Sequence, residues 1–115
     1  MENAPVRVVE RHVSPDQQLV LIAGIGNDGE KVVGFEGGNW HTHPDLIAYW
    51  LGVPESDAIR SFIDRVVRDE LPIITSVDRG NTISPWISDN LPATLDSTGR
   101  TNCIVRYWSG RPYLD

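Results

Sequence analysis

The amino-acid sequence predicts an α+β domain: an N-terminal antiparallel β-meander, two central helices packed on one face of the sheet, and C-terminal strands. Two observations carry this. Short β-rich runs punctuated by turn residues fill the first third, and the middle of the chain switches to helical spacing of its apolar residues. Because strands, helices and strands follow one another in blocks, the order points to α+β rather than a repeating βαβ fold, and residues 1–115 read as a single domain.

Each element has a local reason. Val6, Val8 and Glu10 alternate with Arg7, Val9 and Arg11 as a first strand, and Ser14-Pro15-Asp16 supplies a turn. Leu19 to Ile25 is an apolar run suited to a buried strand. Asn27-Asp28-Gly29-Glu30 is a hairpin signal that returns the chain through Lys31 to Phe35. Beyond Gly37-Gly38, residues Leu46, Ile47, Trp50 and Leu51 recur at helical spacing, and Gly52 stops that helix.

A second helix is expected from about Glu55 to Glu70, led in by Pro54 and closed by Pro72. Its apolar stripe is Ala58, Ile59, Phe62, Ile63, Val66 and Val67, opposite the pairs Arg60–Asp64, Asp64–Arg68 and Arg65–Asp69. Strands follow at Ile73 to Val77, at Thr82 to Ile87 with Pro85 breaking the run or holding it at an edge, and at Asn102 to Trp108. Asn90 to Gly99 reads as a loop.

Composition narrows the function. A chain of 115 residues with 40% hydrophobic and 23% charged residues can bury roughly two-thirds of its unfolded surface without a disulfide or structural metal. The net charge of −6 and the lack of a Lys/Arg cluster disfavour nucleic acid and anionic membranes as partners. A basic protein suits that charge. No apolar run is long enough to span a bilayer and no export signal is visible; with Cys103 as the one cysteine, a cytoplasmic location is expected. Of ten basic residues only Lys31 is a lysine, and arginines favour bidentate pairing with carboxylates. Gly34-x-x-Gly37-Gly38 is no phosphate cradle, since no Lys-Ser/Thr follows it.

The segment Trp40-His41-Thr42-His43-Pro44-Asp45 holds the densest chemistry. In extended chain His41 and His43 share a side and can chelate one metal, with Glu10, Glu36, Asp45 or Asp57 as chemically suitable third ligands. Trp40 to Pro44 resembles the His-x-His-Pro segment of the JAMM (MPN+) metalloproteases, the isopeptidases that remove ubiquitin-like modifiers. That resemblance implies a zinc-dependent hydrolase with His41 and His43 as ligands and an upstream glutamate, for which Glu10 is available, as general base. The family's later serine and aspartate fall here on Leu51 and Pro54, which can do neither job, and Ser56 and Asp57 are displaced. The competing reading is local: Thr42-x-x-Asp45 is close to a capping box, with Thr42 as N-cap and Pro44 in the first turn, and such a turn aims the two imidazoles apart.

The four tryptophans give the other functional reading. Trp40 and Trp86 are the expected surface anchors for a partner, Trp50 is assigned to the core, and Cys103 to a buried strand. The reading that follows is a small acidic, non-catalytic protein-binding domain with no cofactor, similar in size and charge to bacterial antitoxin or immunity proteins. The alternative is a metal-dependent hydrolase with zinc on His41 and His43.

Overall fold

The Asn27–Glu30 turn sets the first sheet. The Gly29 N–H donates to the Gly26 carbonyl at 3.1 Å, the Gly26 N–H to the Glu30 carbonyl at 2.8 Å, and the Asp28 carboxylate accepts from the Glu30 N–H at 3.0 Å. These bonds close a hairpin between β2 (Val20–Ile25) and β3 (Lys31–Phe35), antiparallel in the register Ile25↔Lys31 to Leu21↔Phe35. The computed structural model describes residues 7–37, 40–78, 81–82, 85–91 and 103–113. Val6, Gly38, the Arg79-Gly80 turn, residues 83–84, most of the expected Asn90–Gly99 loop and Asn102 lie outside them.

With β1 (Arg7–Val13) and β4 (His41–Thr42), the first sheet runs β1-β2-β3-β4, antiparallel throughout. The simple alternation expected of β1 fails at one point. The register slips between Val8 and Glu10, so Val9 bulges outward, as edge strands often do. The slip still leaves Glu10 and His12 level with Ala23 and Leu21, on the face that the helices cover.

Helix α1 (Pro44–Leu51) starts one residue later than the capping-box reading requires. Its N-cap is His43, in extended conformation, and among the described residues no side chain caps it. Thr42 is instead paired with Val33 in the sheet. The reason is Pro44: a residue before proline is driven away from helical torsions, so His43 cannot be the first helical residue and Thr42 cannot be its cap. The C-terminal end is as expected. Gly52 adopts φ 69°, and its N–H donates to the Ala48 carbonyl at 2.9 Å.

The second helical segment is a 3-10 turn at Glu55–Asp57 followed by α2 (Ala58–Val67). It ends well before Pro72 because Asp69 turns left-handed, at φ 62°, where its carboxylate accepts from the Ser109 hydroxyl at 2.6 Å and the Ser109 N–H at 3.0 Å. Ala58, Phe62, Ile63 and Val66 are buried, Ile59 is half-buried against them, and Val67, expected on the apolar stripe, is exposed.

The second sheet, β6-β5-β7, is built from β5 (Ile73–Asp78), β6 (Asn81–Thr82) and β7 (Cys103–Arg106), again antiparallel. After Pro85 the expected strand survives only as a bridge between Trp86 and Ile74. Leu21 and Ala23, Val33 and Phe35, Ile47, Phe62, Ile73 and Trp108 belong to one hydrophobic cluster. Both sheets and both helices therefore share a core, and the helices lie on one face of the first sheet.

Candidate functional site

The four tryptophans divide by environment. Trp108 is buried in the core, whereas Trp40, Trp50 and Trp86 are half-buried and line one cleft of about 630 Å³. Three parts of the fold build it. Trp40 leads into β4, and its ring lies 6.2 Å from Phe35 and 6.3 Å from Phe62. The ring of Trp50, on α1, stands 6.2 Å from that of Phe62. Trp86 is held by two backbone bonds to Ile74, of 2.8 and 2.9 Å. Phe62 is fully buried, so two of the three indoles rest on a fixed support.

Helix α1 adds an exposed rim to this cleft. Leu46 is 58% exposed and Tyr49 93% exposed, and with Trp50 they follow i, i+3, i+4 spacing on one helix face. Asp89, also exposed, lines the same cleft. The expected surface anchors Trp40 and Trp86 are thus neighbours in space, and the expected core residue Trp50 joins them. Of the four residues that recur at helical spacing, Leu46, Ile47, Trp50 and Leu51, only Ile47 is fully buried, and Leu46 is exposed. Tyr49 and Asp89 drew no functional reading from the sequence. The spacing of Leu46, Tyr49 and Trp50 was the available signal for the first of them.

His41 and His43 are not aimed apart. Their rings meet edge to face with centroids 5.0 Å apart. The expectation of divergence fell with Thr42 as cap, because residues 41 to 43 are extended and put alternate side chains on one side. His43 donates from Nδ1 to the Lys31 carbonyl at 3.3 Å, and Nδ1 of His41 is buried with no hydrogen-bond partner among the described residues.

Two of the four carboxylates weighed as a third ligand, Glu10 and Glu36, are employed elsewhere. Glu10 accepts from Arg60 at 2.6 Å and from His12 at 3.3 Å, and Glu36 is gripped by Arg11 through bonds of 3.0 and 3.1 Å. The Arg60 hydrogen bond holds Glu10 below the usual carboxylate range against its own desolvation, and the Arg11 hydrogen bonds lower Glu36 likewise. Among the described residues no three His, Cys, Asp or Glu side chains are grouped so as to hold a metal ion. Cys103 is free and half-buried in β7, opposite Ser76, rather than fully buried. Among the described residues, no helix is long and apolar enough to cross a membrane. Comparisons with protein-family models, curated proteins and solved structures return no match for this chain.

Proposed function

We propose that the chain is a non-catalytic protein-binding domain that docks a basic partner in the cleft between α1 and the Trp86–Asp89 segment. The observation that carries this reading is the meeting of Trp40, Trp50 and Trp86 in one open cleft rimmed by exposed Leu46 and Tyr49. Large aromatics with a supported base are what interface hot spots are made of. Tyr49, almost wholly exposed, contributes nothing to a core and has no packing reason to be there. The net charge of −6 supports a partner of opposite sign and weighs against phosphate backbones and anionic membranes. A single cysteine supports a cytoplasmic setting.

The test is capture at low salt from a lysate, run in parallel with wild-type chain and with Tyr49→Ala and Trp86→Phe variants. A specific partner should be retained by the wild type, lost or released faster by both variants, and should associate more slowly as salt rises. Retention that is indifferent to both substitutions overturns the reading. Tyr49→Ala keeps the comparison clean, since so exposed a side chain can be removed without disturbing the fold.

A metal-dependent hydrolase is the second reading. It is favoured by the closeness of the His41 and His43 rings and by the bond from His43 Nδ1 to the Lys31 carbonyl, since metal-binding imidazoles are commonly oriented through their other ring nitrogen. It needs a third protein ligand.

A further inference from the structure

Taking the cleft as the docking site proposed above, we infer that it receives an arginine side chain of the partner, its guanidinium laid against the indoles with Asp89 as counter-ion. The lining has the chemistry for a cation rather than for an aliphatic anchor. Trp40, Tyr49, Trp50 and Trp86 contribute four aromatic rings, against the aliphatic groups of Leu46 and Ile87. Aromatic faces carry negative potential, and a concave surface made of them attracts a cation more strongly than any one ring does. Asp89 places a carboxylate side chain at the exposed edge, and among the described residues the lining holds no lysine or arginine, His41 being its one basic side chain. The surplus of acids over bases in the whole chain works in the same direction at longer range.

Shape and rigidity select arginine over lysine. A planar guanidinium stacks on an indole and meets a carboxylate with two parallel N–H bonds at once, whereas an ammonium is a more strongly hydrated point charge. The walls are held before the ligand arrives: Trp40 and Trp50 lean on Phe62, and the Trp86 backbone is bridged to Ile74. That preorganisation lowers the ordering cost of binding. The chain shows the same contact within itself, where the Arg111 guanidinium lies 4.1 Å above the Tyr107 ring.

The experiment follows the four indole N–H resonances of the 15N-labelled full chain, assigned with single Trp→Phe variants. The probes are the capped tripeptides Gly-Arg-Gly, Gly-Lys-Gly and Gly-Leu-Gly at millimolar concentration. The arginine peptide is expected to shift the signals of Trp40, Trp50 and Trp86 saturably while leaving Trp108 still, with weaker binding by the lysine peptide and none by the leucine peptide. Asp89→Asn should weaken the arginine peptide several-fold without changing the melting temperature. Equal shifts with the leucine peptide overturn the arginine assignment while leaving the cleft a docking surface, as does an arginine response indifferent to Asp89→Asn. Cleft indoles that stay still with all three peptides overturn the inference, and the variant-dependent capture described above then decides the docking reading separately.

Discussion

Arg106 and Asp16, 90 positions apart in the chain, form a two-pronged ion pair with N–O distances of 2.6 and 3.3 Å. Arg106 ends β7 in the second sheet, and Asp16 sits in the turn between β1 and β2 in the first, so the pair joins the two sheets. The same carboxylate accepts from the Ser14 hydroxyl at 2.7 Å and the Gln18 N–H at 3.1 Å, while Arg106 also donates to the Tyr107 and Trp108 carbonyls. A planar five-donor head is needed to serve all of these acceptors, which gives the arginine-rich composition a structural use here.

Acid should therefore loosen the junction of the sheets. Hydrogen bonds from Arg106, then from Ser14, hold the Asp16 carboxyl well below the usual carboxylate range. A group whose folded value is depressed contributes stability above its unfolded value, about pH 4, and loses it as pH falls toward the folded one. Melting temperatures measured from about pH 6 down to pH 2 should fall more steeply for the wild type than for Asp16→Asn. Parallel curves would show that the pair adds nothing to stability. Glu10, Glu36 and Asp69 are also lowered, so some acid sensitivity should remain in the variant.

Phe62→Ala should cost about 3–5 kcal/mol, read as a drop in the urea midpoint at unchanged slope. The ring is fully buried and supports both Trp40 and Trp50, so its loss removes core contacts and the floor of the cleft together. Tryptophan fluorescence of the folded variant should shift to longer wavelength as the two indoles gain water. A loss below about 1 kcal/mol would mean that the surroundings collapse into the space.

What could be read in advance was whatever depends on near neighbours in sequence. The Asn27-Asp28-Gly29 hairpin, the Phe62–Val66 stripe and the Gly52 stop each follow from a handful of consecutive residues, and each stands in the structure. The failures are instructive for the same reason. Thr42 fits a cap until the torsional demand of Pro44 on His43 is counted, and that demand was already visible in the sequence. The Val9 bulge and the left-handed Asp69 answer to tertiary partners, Asp69 to Ser109 some 40 positions away, and no local period announces them. The cleft was half legible: tryptophans suggested a surface, but its walls come from segments 40–42, 46–50 and 86–89, which only the folded chain brings together.

Gly34→Ala should separate β4 from β3. A Cβ built on Gly34 falls 2.5 Å from the Trp40 carbonyl oxygen and 3.2 Å from the Cα of its pairing partner, His41, both backbone atoms that cannot swing aside. Overpacking of this kind costs about 1–3 kcal/mol. The expected outcome is a lower melting temperature together with altered amide shifts for Trp40, His41 and Thr42. Unchanged stability and shifts would mean that β4 can move away from Gly34 without cost.

The last prediction separates the binding domain from the hydrolase. His41 and His43 are close enough to share an ion, yet tetrahedral zinc in a catalytic site takes three protein ligands. Glu10 and Glu36, two of the four carboxylates considered for that role, are engaged by arginines, and among the described residues no three His, Cys, Asp or Glu side chains are grouped to hold an ion. Two imidazoles alone hold zinc too weakly to retain it through purification. Protein purified without a chelator is therefore expected to carry no stoichiometric zinc by elemental analysis, and EDTA should leave the melting temperatures of wild type and His41→Ala unmoved. Near-equimolar zinc in the wild type that disappears in His43→Ala would reverse the order of the two readings. It would also locate the missing ligand, because the carboxylate whose substitution next abolishes zinc would be the third member of the site.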